Sequence, residues 1–144
     1  MPATIEAPAK RQSASCTGYN GGFETAVRHE DRKSFEGMVA HNREVVLQVL
    51  PYNKKTMLAI AANLGSVMMV NLIMKELTRV DWSKKPGGFC SMKEHIEKPD
   101  IFGNTAAGTA RMKYDGGGGE QFRQIFERIT GERLPAKVEQ LARA

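Results

Sequence analysis

The stretch TMLAIAANLGSVMMVNLIM, residues 56–74, decides how the whole chain is interpreted. It lies between Lys55 and Lys75 and contains nineteen residues without a single charge. An apolar run of that length is long enough to be considered as a membrane-spanning helix. Asn63 and Asn71 argue against a membrane span, because an amide side chain in lipid needs a hydrogen-bonding partner.

The middle of the stretch indicates two helices rather than one. Gly65 is typical of the residue that follows a helix, and Ser66 is typical of the residue that begins the next one. The sequence therefore predicts a short helix over about 57–63 and a second over about 66–77. Two mostly apolar helices joined by so short a turn bury each other's faces, so we expect a helical hairpin.

The composition is that of a folded domain. The 144 residues suffice for one domain of ordinary size. Apolar residues make up 41% of the chain and charged residues 26%, a balance that excludes wholesale disorder. The net charge is +5, yet basic side chains are spread from Lys10 to Arg143 with acids between them. Nucleic-acid binding is not predicted, since it usually concentrates basic side chains in one patch.

The N-terminal part of the chain looks different from the rest. Residues 1–19 contain one large aliphatic side chain, Ile5. This low content of large apolar residues predicts a flexible tail before a domain over 20–144. The stretch lacks the apolar core of a signal peptide, so we expect a cytoplasmic protein, with export into a host cell as an alternative setting. Cys16 and Cys90 are far apart and are expected to be free thiols.

The pattern of the central hairpin recurs on both sides of it. A threonine is followed five residues later by an alanine in two copies, and the alanine is followed nine or twelve residues later by a large apolar side chain. The remaining copy, which comes first along the chain, keeps only the alanine and the nine-residue spacing. The matching positions are Ala26 and Phe35; Thr56, Ala61 and Val70; and Thr105, Ala110 and Phe122.

These copies resemble the ankyrin repeat, whose signature is T-P-L-H-x-A with a period of about 33 residues. The residues that carry the resemblance are TMLAIAANLG at 56–65, with Val70, Leu72 and Ile73 after it, and DIFGNTA at 100–106. The resemblance implies an all-α, ankyrin-like helical-hairpin solenoid of about three repeats. These are expected over about 20–50, 51–99 and 100–134, with a long inserted loop at 83–99 and a C-terminal capping helix over 135–144.

The sequence contains only weak matches to motifs for catalysis or for cofactor and metal binding. DGGGG at 115–119 invites a phosphate-binding interpretation, but Glu120 follows it where Gly-Lys-Ser/Thr would be needed, so a turn is predicted. His29 and His41 are expected to face solvent, and His95 to lie in a solvated mixed-charge stretch. No catalytic residue, cofactor or metal site is predicted.

The resemblance implies a non-catalytic protein-binding module. In the ankyrin family, partners are gripped by the finger turns that precede each hairpin and by the first helices, which line a concave surface. We expect the partner to have an acidic surface and the chain to be a monomer. Met68 occupies a normally exposed repeat position, and Trp82 is either a plug over the repeat stack or an exposed anchor. The candidate partner-binding residues are Tyr52, Asn53, Lys54, Lys55, Met68, Trp82, Ile101, Phe102 and Asn104.

Several settings suit such a module. A short chain with a long insertion resembles host-targeting effectors or regulators of bacterial or viral origin. The main alternative is a small structural subunit of a larger assembly, in which neighbours order the tail and the insertion. A third option is nucleic-acid contact through the lysines of the insertion, which steep salt dependence would reveal. Phe102→Ala, or Lys54→Glu with Lys55→Glu, is expected to weaken partner binding without unfolding the domain.

Overall fold

In a computed structural model, residues 19–136 are described. They form seven α-helices and no strand, apart from an isolated antiparallel bridge between Val49 and Thr56. Short 3₁₀ turns occupy Arg43–Leu47, Trp82–Lys84 and Pro86–Gly88. The helices are α1 (Gly21–Arg28), α2 (Arg32–His41), α3 (Met57–Leu64), α4 (Val67–Leu77), α5 (Met92–Ile96), α6 (Ala106–Asp115) and α7 (Glu120–Thr130). The all-α prediction is confirmed for this part of the chain.

The central hairpin begins, turns and ends as its sequence predicts. The Thr56 hydroxyl accepts the Ala59 N–H at 3.1 Å, which starts α3. Gly65 closes α3 in the left-handed conformation, with φ +76°, and the Ser66 hydroxyl then accepts the Met69 N–H at 3.2 Å to start α4. Each helix differs from its predicted bounds by one residue.

Three helical hairpins pack in chain order. The hairpins are α1–α2, α3–α4 and α6–α7, and the first helix of each contacts the first helix of the next. The second helices α4 and α7 also touch. The hairpin α3–α4 thus has neighbours on both sides, and residues 57–62 of α3 are all buried. Its lack of charge follows from this central position. Within residues 19–136 no helix is long and apolar enough to cross a membrane.

The insertion predicted as a loop over 83–99 is not irregular throughout. The segment contains α5, whose N-terminus is capped by the Ser91 hydroxyl accepting the Glu94 N–H at 3.1 Å. Trp82, just before the insertion, donates its indole N–H to the Leu77 carbonyl at 3.1 Å. Phe89 and Trp82 pack around His95, which is 0% exposed. The insertion folds because these rings, dispersed in the sequence, cover one side of α5.

The two ends of the chain lie largely outside the described residues. The predicted tail is represented only by Tyr19, whose hydroxyl donates to Glu24 at 2.6 Å. Of the predicted capping helix, Pro135 and Ala136 are described and are not helical. Leu134, just before them, is buried against Tyr114 and Phe122. The predictions for 1–18 and 137–144 therefore remain predictions.

Gly65→Ala is expected to destabilise the fold by about 2 kcal/mol in urea unfolding, since a left-handed alanine is strained. A Cβ there would also come within 2.8 Å of the Phe122 ring. Gly37 is a matched control, because it lies inside α2 with open space around it. Gly37→Ala should stabilise the protein by about 0.5–1 kcal/mol. An unchanged free energy of unfolding in Gly65→Ala would contradict the close packing of this turn against α7.

Candidate partner-binding site

Two finger turns precede the second and third hairpins. In the second finger (residues 50–55), the Leu50 N–H donates to the Lys55 carbonyl at 2.9 Å and the Lys54 N–H donates back to the Leu50 carbonyl at 2.9 Å. In the third finger (residues 100–104), the Asp100 N–H donates to the Asn104 carbonyl at 3.0 Å. Each finger is thus closed by its own backbone hydrogen bonds and presents a defined tip.

The two fingers lie side by side. The Ile101 N–H donates to the Asn53 carbonyl at 3.0 Å, so one backbone hydrogen bond joins the tips. Lys55 forms an ion pair with Asp100, whose side chain is 1% exposed. Burial alone would raise the pKa of Asp100, but the Lys55 ammonium and the backbone N–H groups of Asn104 and Phe102 outweigh it and hold that pKa below its ordinary value.

The second finger is also attached to the first hairpin. The Tyr52 hydroxyl donates to the Glu24 carboxylate, and Arg28 donates to the Tyr52 oxygen at 3.3 Å. Burial would raise the pKa of Glu24, yet hydrogen bonds from Tyr19, Tyr52 and Arg28 lower it below its ordinary value. These contacts fix the Tyr52 ring while leaving much of it accessible.

Large apolar side chains remain exposed at the tips. Phe102 is 72% exposed, Ile101 56% and Tyr52 57%. Lys54 is also exposed and lies beside them in the second finger, with φ +62°. We name this set, Tyr52, Lys54, Ile101 and Phe102, the finger surface. Apolar groups of this size on a turn held by backbone hydrogen bonds are typical of protein interaction sites.

A depression of about 540 Å³ lies beside the fingers and is named the inner groove. The fingers contribute Lys55 and Asn104, and the first helices contribute polar and flexible side chains. First helices were expected to line such a surface, but none of the predicted partner-binding residues lies on one. The lining residues are Lys55, Asn63, Asn104, Thr109, Met112, Lys113 and Gly116–Gly118.

The remaining predicted site residues lie elsewhere. Met68 is half-buried on α4, the second helix of its hairpin, and packs against the core. Trp82 is half-buried, with its ring centroid 6.1 Å from that of His95. Neither residue lines the inner groove. Trp82 packs against the core and lies beside His95 of the insertion.

Lys55 differs from Lys54 in a way that changes the proposed mutational test. Its side chain is 22% exposed, and its ammonium group forms an ion pair with the buried Asp100. Replacing it by glutamate would place two carboxylates together, which is destabilising. The double change of Lys54 and Lys55 would therefore disturb the fold as well as binding, and Lys54→Glu alone is the cleaner probe.

The histidines divide into two kinds. His29 and His41 are exposed, as predicted. The prediction for His95 is wrong, because the ring is buried and neither ring nitrogen has a hydrogen-bond partner among residues 19–136. Desolvation, with a smaller contribution from Lys98, lowers its pKa to about 4. Among residues 19–136, no three His, Cys, Asp or Glu side chains are grouped to hold a metal ion.

The glycine run is a turn, as predicted. The N–H groups of Gly116, Gly117 and Gly118 donate to carbonyl oxygens of α6 at 2.8–3.2 Å. Donors that already close the end of a helix do not point at a bound phosphate. The run connects α6 to α7 and forms one rim of the inner groove.

Comparison with protein-family models, with curated proteins and with solved structures found no significant match to this chain. The class of protein is therefore taken from the fold of residues 19–136, which is all-α and built of packed helical hairpins.

Proposed function

We propose that this chain is a non-catalytic protein-binding module of the ankyrin-repeat type, which holds a partner protein on the finger surface and the inner groove. Three observations support the proposal. The first helices contact one another in chain order. The second and third fingers are joined through Ile101 and Asn53. The exposed apolar tips lie next to a polar groove, an arrangement of apolar anchor and polar surround that suits protein recognition.

The single observation that carries the proposal is the exposure of Phe102. It is the most exposed large apolar side chain among residues 19–136. Its own N–H donates to the Asp100 carboxylate at 2.8 Å, so the turn that carries the ring is held in place. An aromatic anchor on an ordered turn loses little conformational entropy when it is buried, and such anchors dominate the energy of protein interfaces.

Phe102→Ala is expected to weaken partner capture by about 30-fold, the effect of losing an aromatic anchor worth about 2 kcal/mol. The unfolding midpoint should stay unchanged, because the ring contacts mainly solvent. Phe102→Leu is the matched variant and should retain most of the affinity. Affinity capture followed by mass spectrometry, with titration of the captured partner, measures both. Equal capture of the partner by wild type and by Phe102→Ala would contradict the proposal.

The same exposed tips would suit a subunit that is held permanently in a larger assembly. That alternative expects neighbours to order the insertion, whereas here α5 and the rings around His95 fold onto the chain itself. Size-exclusion chromatography of the isolated chain separates the two functions. A stable monomer supports the binding module, and a chain that aggregates without its neighbours supports the subunit.

A further inference from the structure

The acidic side chains around the inner groove are neutralised by partners of their own. Asp100 is paired with Lys55, and Asp115 with Arg111 at 3.2 Å. Among residues 19–136, no acidic side chain lines the groove. Lys113 does line it, is exposed, and forms no ion pair within the described part of the chain. The groove is therefore positive, because one lysine charge there is uncompensated.

The other groups in the groove are suited to a peptide backbone. Asn63 from α3 and Asn104 from the third finger each bring an amide, which offers both a donor and an acceptor and so matches a peptide bond. The rim at Gly116–Gly118 carries no side chains, and Gly117 has open space where a Cβ would lie. A backbone can approach such a rim closely.

We infer that the inner groove binds an extended acidic segment of the partner protein. Its backbone lies against Asn63 and Asn104, and a carboxylate pairs with Lys113. An apolar side chain of the same segment reaches Met112, which is 55% exposed on the groove wall. The inference rests on the proposed function and adds the chemistry of the bound segment. Electrostatic complementarity of this kind selects partners as much as it strengthens binding.

Selection from a random 12-residue peptide library displayed on phage, with the full chain as bait, tests the inference. We expect the selected peptides to be enriched in aspartate and glutamate. Against Lys113→Glu that enrichment should disappear. A selected peptide should bind Lys113→Glu about tenfold more weakly by fluorescence anisotropy, since an attractive charge pair becomes repulsive. Lys33→Glu makes the same charge change on the exposed face of α2 and should leave Kd unchanged.

Three outcomes would overturn the inference. One is selection without acidic enrichment, another is an equal loss of affinity in Lys113→Glu and Lys33→Glu, and the third is tighter binding of a labelled single-stranded DNA 20-mer than of the selected peptides. The proposed function is tested separately, by the Phe102 variants on captured protein. If Phe102→Ala weakens partner capture and Lys113→Glu does not weaken peptide binding, the protein-binding module is supported and the acidic segment is contradicted.

Discussion

Lowering the pH from about 7 to about 4.5 is expected to reduce the free energy of unfolding by about 2–3 kcal/mol through one residue, His95. The ring is 0% exposed and stacks edge-on to Phe89, with centroids 4.6 Å apart. Neither ring nitrogen has a hydrogen-bond partner within the described part of the chain, so no group there compensates a positive charge on the ring. Burial, reinforced by the nearby Lys98 charge, lowers its pKa to about 4.

The sign of the effect follows from proton uptake. In the unfolded chain the histidine pKa is about 6.5, so that state takes up a proton as the pH falls through this value. The folded state stays neutral at His95 until about pH 4. Stability is therefore fully present above about pH 6.5 and is lost as the pH falls toward 4, where the loss levels off. Carboxyl groups with lowered pKa, such as Asp100 and Glu24, contribute their loss mainly at still lower pH.

Urea unfolding at several pH values measures the effect, and two histidine variants isolate it. His95→Phe should flatten the pH dependence between about 7 and 4.5, because the phenyl ring has no proton to gain. His41→Phe should keep the full slope, since His41 is exposed. A wild-type slope that persists in His95→Phe would show that another group is responsible. A uniform drop in stability at all pH values would instead report a packing defect.

The central hairpin could be predicted from sequence because its signals are local. Thr56, Gly65 and Ser66 each act on the two or three residues beside them, and the structure places all three as helix caps. The finger turns were found through the resemblance to the ankyrin repeat rather than through any pattern of charge. The hydrogen bond between the Ile101 N–H and the Asn53 carbonyl joins the two fingers, although these residues are far apart in sequence. That contact depends on how one hairpin stacks on another.

The insertion could not be predicted, because its order comes from contacts that its composition conceals. Lys93, Glu94, Glu97 and Lys98 surround His95 in sequence and make the stretch look solvated. In the structure the His95 side chain is nevertheless buried. Lys113 was missed for a related reason: a lysine near the end of a helix is common, and only the ion pairs of its neighbours show that it is left unneutralised.

Asp100→Ala is expected to reduce the free energy of unfolding by about 3 kcal/mol. The Asp100 side chain is buried, so this loss comes from contacts inside the protein. The carboxylate pairs with Lys55, and its other oxygen accepts the N–H groups of Phe102 at 2.8 Å and Asn104 at 3.0 Å. Removing it leaves a half-buried ammonium without its partner and frees both donors. The turn at Gly103, with φ +83°, then loses the group that holds it.

Asp100→Asn separates the charge from the turn. The amide oxygen can still accept the backbone N–H groups, so we expect a loss of about 1–2 kcal/mol, from the ion pair alone. Lys55→Met leaves the buried carboxylate unpaired and should raise the pKa of Asp100. A double-mutant cycle of Lys55→Met with Asp100→Asn, followed by urea unfolding, measures the coupling. Additive losses would mean that the pair contributes nothing beyond its separate contacts.

The same series connects the interior of the third finger to its function. Asp100→Ala should weaken partner capture nearly as much as Phe102→Ala, because the turn that presents the ring is no longer held. Asp100→Asn should capture the partner almost normally despite its lower stability, since its turn is kept. Loss of stability with unchanged capture in Asp100→Ala would show that Phe102 reaches its partner without the ordered turn, and binding would then depend on the ring alone.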